Sequence, residues 1–423
     1  MRSEWHEEEL NELLEAVIDH RGRTPKKLGG DFASHGIPVI SAKNIKNSRL
    51  DLDESLRFIE PAMWDKWMPV KLAEGDVLLT SEAPLGETAY LADPEPLCLG
   101  QRLFALRASQ TRLNSRYLFY ALQGPTLRNR ILARASGTTA QGIRQSELVR
   151  VRVPVPPIDE QRRIAEILGA LDDKIESSRR LVKTLEEMSA TLFNARFVNF
   201  VDVVGCRDLV ESELGPIPRE WSVCQLDQVS AVLTRGRAPV YVEEGGTLVL
   251  NQKCVRDGRV TFEAARRHDE EARSSKDRRV EIADVLINST GVGTLGRVSQ
   301  VRWLPEPATV DGHVTLVRAA TPDVVQDYLA LALMSRQADF ERMAHGSTGQ
   351  TELTRSRLAE MPIVVPPRSE QELLRRFYGP VREKIGSLER ESITLSRIRD
   401  ALLPKLVSGE VRVSQASFTE NAS

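Results

Sequence analysis

Residues 291–296 read GVGTLG, the G-x-G-x-x-G spacing with which a backbone can cradle a dinucleotide, and Asp311 stands about twenty residues on, where a ribose-binding acid would be. That chemistry needs a helix to begin at the glycines, so that its N-terminus holds the pyrophosphate. Here RVSQVRW (Arg297–Trp303) follows, β-prone and without a cap, and the matching stretch in the first half, EAPLGE, has lost the glycines. The pattern predicts a turn between two strands. Other catalytic spacings are missing: there is no G-x-x-x-x-G-K-[ST] loop, no H-E-x-x-H, no G-x-S-x-G, and no N-P-P-[YF] tetrapeptide to grip an extruded adenine. The six histidines recur at no common position and the four cysteines form no C-x-x-C pair, so no catalytic centre and no metal site are expected.

What does recur is a set of basic and amide side chains. Arg21, Arg23 and Lys43 are matched by Arg235, Arg237 and Lys253, and Gln141 in GTTAQ by Gln350 in GSTGQ. Lys46, matched by Arg256, and Arg144 are further candidates. Arg and Lys neutralise phosphates or read guanine, and Gln bridges the N6 and N7 edge of adenine. These residues are therefore candidate contacts to double-stranded DNA. The competing explanation is that the matches preserve turn geometry in a shared fold.

A net charge of −2 does not look like a nucleic-acid binder, but charge is segregated along the chain. Leu97 to Arg150 holds nine arginines and one acid, Glu147, whereas Glu4 to Glu15 holds six acids and no Lys or Arg. An arginine-only run suits phosphate pairing, and equally suits a solvated helix face. With 41% hydrophobic residues, no apolar run near the roughly 18 needed to span a membrane and no leader-like start, a cytoplasmic globular protein without membrane partners is expected.

The positions that must hold these side chains come from a duplication. Val155–Leu192 and Val365–Leu402 are identical at thirteen of 38 positions at a constant offset of 210, both opening VPP and then EQ. The repeat reaches back through the chain: RGRTP returns as RGRAP, ISAKNIKNSRL as LNQKCVRDGRV, and GDVLLTSEAPLGETA as ADVLINSTGVGTLGRV. Each unit of about 210 residues is a variable globular module followed by a better-matched segment. In the modules, Gly75–Leu79, Arg102–Ala108, Ile282–Ile287 and Val314–Ala319 read as strands, and helices are predicted after Asn114 and after Asp323. Strands and helices do not alternate, which makes the modules α+β.

The matched segments read as long helices, with Asp159 and Ser369 as N-caps and Glu160 and Glu370 in the first turn. Ile164, Leu168, Leu171, Ile175, Val182, Leu185 and Leu192 follow heptad steps, as do Leu374, Tyr378, Val381, Ile385, Leu388, Leu395, Leu402 and Leu406. Such stripes predict a coiled coil, with Gly379-Pro380 expected to kink the second helix. A helix over Asp159–Phe197 would span about 58 Å, and an antiparallel pair related by a pseudo-two-fold would hold two DNA readers at a set distance. The domain reading is 1–155 first module, 156–205 helical region, 206–365 second module, 366–413 helical region, and 414–423 a disordered tail.

On PVPPIDEQRRIAEILGALDDKIE, LFNARFVNF, ELGPIPREW and LLPKLVSGEVRV, with RGRTPKKLGG and VISAKNI, the chain resembles the specificity subunit of type I restriction–modification enzymes along essentially its whole length. The resemblance implies two target-recognition domains, an antiparallel coiled coil, and an asymmetric bipartite DNA target with a fixed spacer. It implies two methyltransferase subunits as partners, with restriction/translocase subunits joining them. S-adenosylmethionine, ATP and Mg would then be bound by those partners, and this chain would be non-catalytic. The alternatives are a specificity subunit of a related single-complex restriction–methylation system, a stand-alone DNA-modifying enzyme, and a protein scaffold that binds no DNA.

Overall fold

The computed structural model describes residues 5–52, 56–93, 95–137, 141–201, 208–291, 293–320, 323–344 and 352–413. The expected tail at 414–423 and the candidate Gln350 lie outside them. The chain forms two compact units, 1–175 with 394–423, and 176–393, so each unit contains one module and a stretch of both long helices.

In the first unit, strands Leu14–Asp19, Leu103–Ala108, Val77–Thr80 and Thr88–Tyr90 form an antiparallel sheet in that order. Alternate residues of a strand face opposite sides of a sheet, and this sheet is apolar on both. Val77, Leu79, Phe104 and Leu106 pack into one core with helix Ser115–Gln123, while Leu78, Leu103 and Ala105 pack into a second. The second core lies against a three-stranded sheet, Arg57–Ile59, Ile37–Ile40 and Cys98–Leu99, the last pair parallel. The second unit repeats this: Ser230–Arg235, Val314–Ala319, Val285–Asn288 and Val298–Gln300, then a smaller sheet around Thr247–Leu250 with Ala308–Val310 parallel to it. Strands Val285–Asn288 and Val298–Gln300 are joined as predicted from GVGTLG, with residues 293–296 in a turn and Gly291, Gly293 and Gly296 at positive φ.

Each module closes on itself beside its proline joint. His6–Glu9 pairs with Arg152–Val155, and Ser222–Gln225 with Pro362–Val365. The buried Tyr117 hydroxyl donates to the Pro154 carbonyl at 2.8 Å, and Tyr328 to Val364 at 2.6 Å. Gln161 and Gln371, both 0% exposed, then join module to helix. The Gln161 amide donates to the Pro156 carbonyl at 2.9 Å and to Arg112 at 3.1 Å, and its oxygen accepts from the Asn114 N–H at 2.8 Å. Gln371 donates to Pro366 at 2.8 Å and to Asp323 at 3.4 Å, and accepts from the Val325 N–H at 2.7 Å. The helix predicted after Asp323 begins at Gln326, with Val325 as its N-cap.

The long helices run Ile158–Phe193 and Arg368–Val407. Asp159 and Ser369 are not their caps: Ile158 and Arg368 are already helical, and the Pro157 and Pro367 carbonyls take the first turn's N–H groups. Pro380 does not end the second helix. It is pinned on either side of the proline, by Tyr378 donating to Gln300 at 2.9 Å and Arg382 to Asp327 at 2.9 Å.

The helices pair antiparallel within each unit. In the second unit Val182 packs with Ile385 and Leu388, flanked by Leu185 and Val381, and Arg196 meets Glu370 at 2.7 Å. In the first, Asp172 meets Arg399 at 2.7 Å and Glu160 meets Arg412 at 2.7 Å. Ile175 is buried, and Leu171 and Leu395 are half-buried. Other stripe residues serve the modules: Ile164, Leu168, Leu402 and Leu406 join the first module's core, and Leu374 and Tyr378 the second's. Leu192 leaves the seam, being 46% exposed; Phe193 and Phe197 are buried in its place. A straight helix drifts off a strict heptad, and the π-turn Asn194–Val198 completes the change of face.

Arg302 of the second module is buried between the helices, donating to Glu186 at 2.6 Å and Glu389 at 3.0 Å. A Cβ at Gly386 would stand 2.8 Å from the Arg302 carbonyl, so only glycine admits this approach.

Two predictions follow from the joints. Gln161→Ala and Gln371→Ala should each destabilise the chain by about 1–3 kcal/mol, because buried N–H and C=O groups lose their partners; denaturant titration measures it. Burial raises the pKa of Glu160, but hydrogen bonds from Arg412 and Trp5 outweigh it and bring the pKa below the ordinary value. A depressed carboxylate stabilises the fold above its unfolded pKa, about 4.3, and that stability is lost as pH falls through the folded pKa. Thermal melts should therefore show a steeper acid-side loss in the native chain than in Glu160→Gln.

Candidate nucleic-acid interface

The repeated arginines Arg21 and Arg235 stand at and just beyond the ends of equivalent strands and do the same local work. Arg21 holds Asp19 at 2.7 Å, lies over the Phe104 ring at 4.2 Å, and donates to the Ile143 carbonyl at 3.2 Å. Arg235 pairs with Glu352 and donates to the Leu353 carbonyl at 2.8 Å. Ile143 and Leu353 are themselves repeat-related, at the same offset of 210. Both arginines thus anchor the loop before a short helix, Gln145–Leu148 or Arg355–Ala359, a geometric reason for their recurrence.

Arg23 donates to the Trp67 carbonyl and lines a cleft of about 390 Å³ with Lys43, Arg57, Gln101, Phe32 and Trp67. Its counterpart Arg237 is tied down, to Asp277 at 3.0 Å and the Ser274 carbonyl at 3.0 Å. Lys43 and Lys253 are exposed, each between a small-sheet strand and a two-stranded hairpin, Ile45–Lys46 with Arg49–Leu50 or Val255–Arg256 with Arg259–Val260. Neither lysine side chain has an ion-pair or hydrogen-bond partner among the described residues. On the hairpins, Lys46 pairs with Asp51 at 3.5 Å and Arg256 with Asp257 at 3.3 Å. Gln141 and Arg144 are exposed on the loop that Arg21 anchors, away from the cleft lining.

The arginine-rich run does not form a phosphate stripe. Of its nine arginines, eight meet a carboxylate: Arg102–Glu82, Arg107–Asp76, Arg112–Glu8, Arg116–Asp173, Arg128–Glu87, Arg130–Glu7, and Arg134 and Arg150 with Glu147. The acid-rich start supplies Glu7 and Glu8, so two runs segregated in sequence neutralise each other in the fold. Arg144 meets none among the described residues. Gln161, Gln371, Glu160 and Arg412 carry structural roles at the joints that the sequence reading does not assign; the recurring EQ pair marks Glu160, Gln161 and Gln371, and nothing in the repeat marks Arg412. Among the described residues no group of three or more His, Cys, Asp or Glu is placed to hold a metal ion, and no helix is long and apolar enough to cross a membrane.

The model of one family, the type I restriction modification DNA specificity domain, matches residues 2–187 and 218–391. The chain belongs to this family. Its two matched segments each carry one of the equivalent modules. Among curated relatives, the MjaIX specificity subunit of a type I restriction enzyme from Methanocaldococcus jannaschii is 26% identical, over 97% of this chain and 94% of that one. The MjaX specificity subunit, described as putative, from the same organism is 23% identical over 97% and 94%. A crystal structure of the S subunit of a type I restriction–modification system from M. genitalium matches the fold with a TM-score of 0.64 at 17% identity, over 95% of this chain and 96% of that one. For a DNA specificity domain, the useful division lies between basic residues spent on the fold and basic residues left exposed. Arg21→Ala and Arg235→Ala should each cost about 1–2 kcal/mol of stability through the lost loop anchor, read as a lower urea midpoint.

Proposed function

We propose that this chain is the DNA-binding specificity subunit of a type I restriction–modification complex and performs no chemical step itself. It reads a bipartite, asymmetric DNA target with a fixed spacer. One observation carries the reading: a DNA specificity domain occurs twice in one chain, on one topology, with module sequences that have diverged from each other. Two unlike readers of one fold make an asymmetric target, since each module contacts its own half-site. The exposed, unpaired Lys43 and Lys253 stand at the same place in each module and supply phosphate contacts.

The partners in this reading are double-stranded DNA, two methyltransferase subunits bearing S-adenosylmethionine, and restriction/translocase subunits bearing ATP and Mg, all in the cytoplasm. Single-molecule sequencing of methylated adenines tests it in the host. Methylation at one split motif, lost when this gene is deleted and restored by its return, is the expected result. An unaltered methylation pattern in the deletion strain rejects the reading and favours a scaffold that binds no DNA. In the assembled methyltransferase, Lys43→Ala and Lys253→Ala should each weaken binding to target duplex and lower the slope of log affinity against log salt by about 0.9, one phosphate contact. Titrations between 50 and 200 mM salt, by fluorescence anisotropy, provide that slope.

A further inference from the structure

In both modules one arginine of the smaller sheet lies over an exposed aromatic ring. The Arg57 guanidinium is 4.8 Å from the Phe32 ring centre, and that of Arg266 is 3.4 Å from the ring centre of Tyr241. The strand registers make these two arginines equivalent: Arg57 is paired opposite Val39 and Arg266 opposite Val249. The aromatics correspond too, for Phe32 precedes Ala33, which bridges Phe58, and Tyr241 precedes Val242, which pairs with Arg267. Within the first module Arg57 and Phe32 line the same cleft as Lys43.

These arginines differ from most others in the chain. Both are exposed, and neither has a carboxylate partner among the described residues. The rings beside them are 37% and 41% exposed, so each stacked pair lies open to a ligand. Stacking uses one face of a guanidinium and leaves its N–H edge free. It also removes rotamer freedom before any ligand arrives, which raises the yield of each hydrogen bond formed.

Resting on the specificity-subunit reading, we infer that Arg57 and Arg266 are the equivalent DNA-contacting arginines of the two modules, each held ready by its aromatic partner. The free N–H edge is shaped for two parallel acceptors, as on the guanine O6/N7 edge or a phosphate.

The experiment uses the chain assembled with its methyltransferase partner and duplexes carrying the methylated motif or single-base changes in either half. Arg57→Ala should weaken binding at least tenfold through one half-site, and Arg266→Ala through the other. Arg57→Lys and Arg266→Lys keep the charge and lose the planar fork. If the edge reads a base, the lysine variants lose discrimination at one position of the corresponding half-site. If it holds a phosphate, they stay close to native while the alanine variants weaken all sequences evenly and lower the salt slope. Both results support the assignment. Native affinity and discrimination in both alanine variants, alongside specific binding by the native complex, overturns it. Absence of specific binding by the native complex instead rejects the specificity-subunit reading itself. Phe32→Leu and Tyr241→Leu keep apolar bulk without the π-face, and should reproduce a part of the arginine loss with an unchanged urea midpoint.

Discussion

The order of each module depends on one buried amide. Gln161 and Gln371 are fully enclosed, and each side chain bonds to both the proline joint behind it and the start of a module helix ahead of it. A primary amide has two donors and an acceptor, so it can bridge carbonyls and an N–H where the chain changes direction. Inside a protein the alternative is unsatisfied backbone, which is expensive. Leu or Ala in its place would pack and could not bridge. The amide is therefore what couples a module to the direction of the helix leaving it.

A second constraint is electrostatic. This chain carries 58 basic and 60 acidic residues, so most arginines have carboxylates to meet. In the first module they do, and the acid-rich first strand meets the arginine-rich stretch more than a hundred residues later. The buried Arg302 between Glu186 and Glu389 applies the same economy to the helices of the second unit. Against that background an exposed and unpaired cation stands out more than a count of basic residues does.

Much of the fold was legible in sequence because duplication doubles each signal. The offset of 210 located the joints and the long helices, and the GVGTLG turn followed from the β-prone residues after it. Other points were not legible. Heptad spacing retained Leu192, but a straight helix rotates away from a strict seven-residue repeat and buried Phe193 instead. Gly379-Pro380 suggested a kink, and the contacts of Tyr378 and Arg382 that flank it within the unbroken helix could not be read from spacing. The arginine run left phosphate pairing and a solvated helix face equally open, since sequence separation conceals which carboxylates fold back upon it.

By itself the sequence determined the repeated α+β modules, the two long helical segments and the family resemblance, because these rest on local periodicity and on similarity between segments. Only the tertiary structure decided which basic residues are available. Arg21 and Arg57 are both arginines on or just after short strands, yet one is held by Asp19 and a loop carbonyl while the other lies open on a ring. The identity of a side chain sets what it is able to bind. Which partner it has already bound is a matter of long-range neighbours, and those exist only in the folded chain.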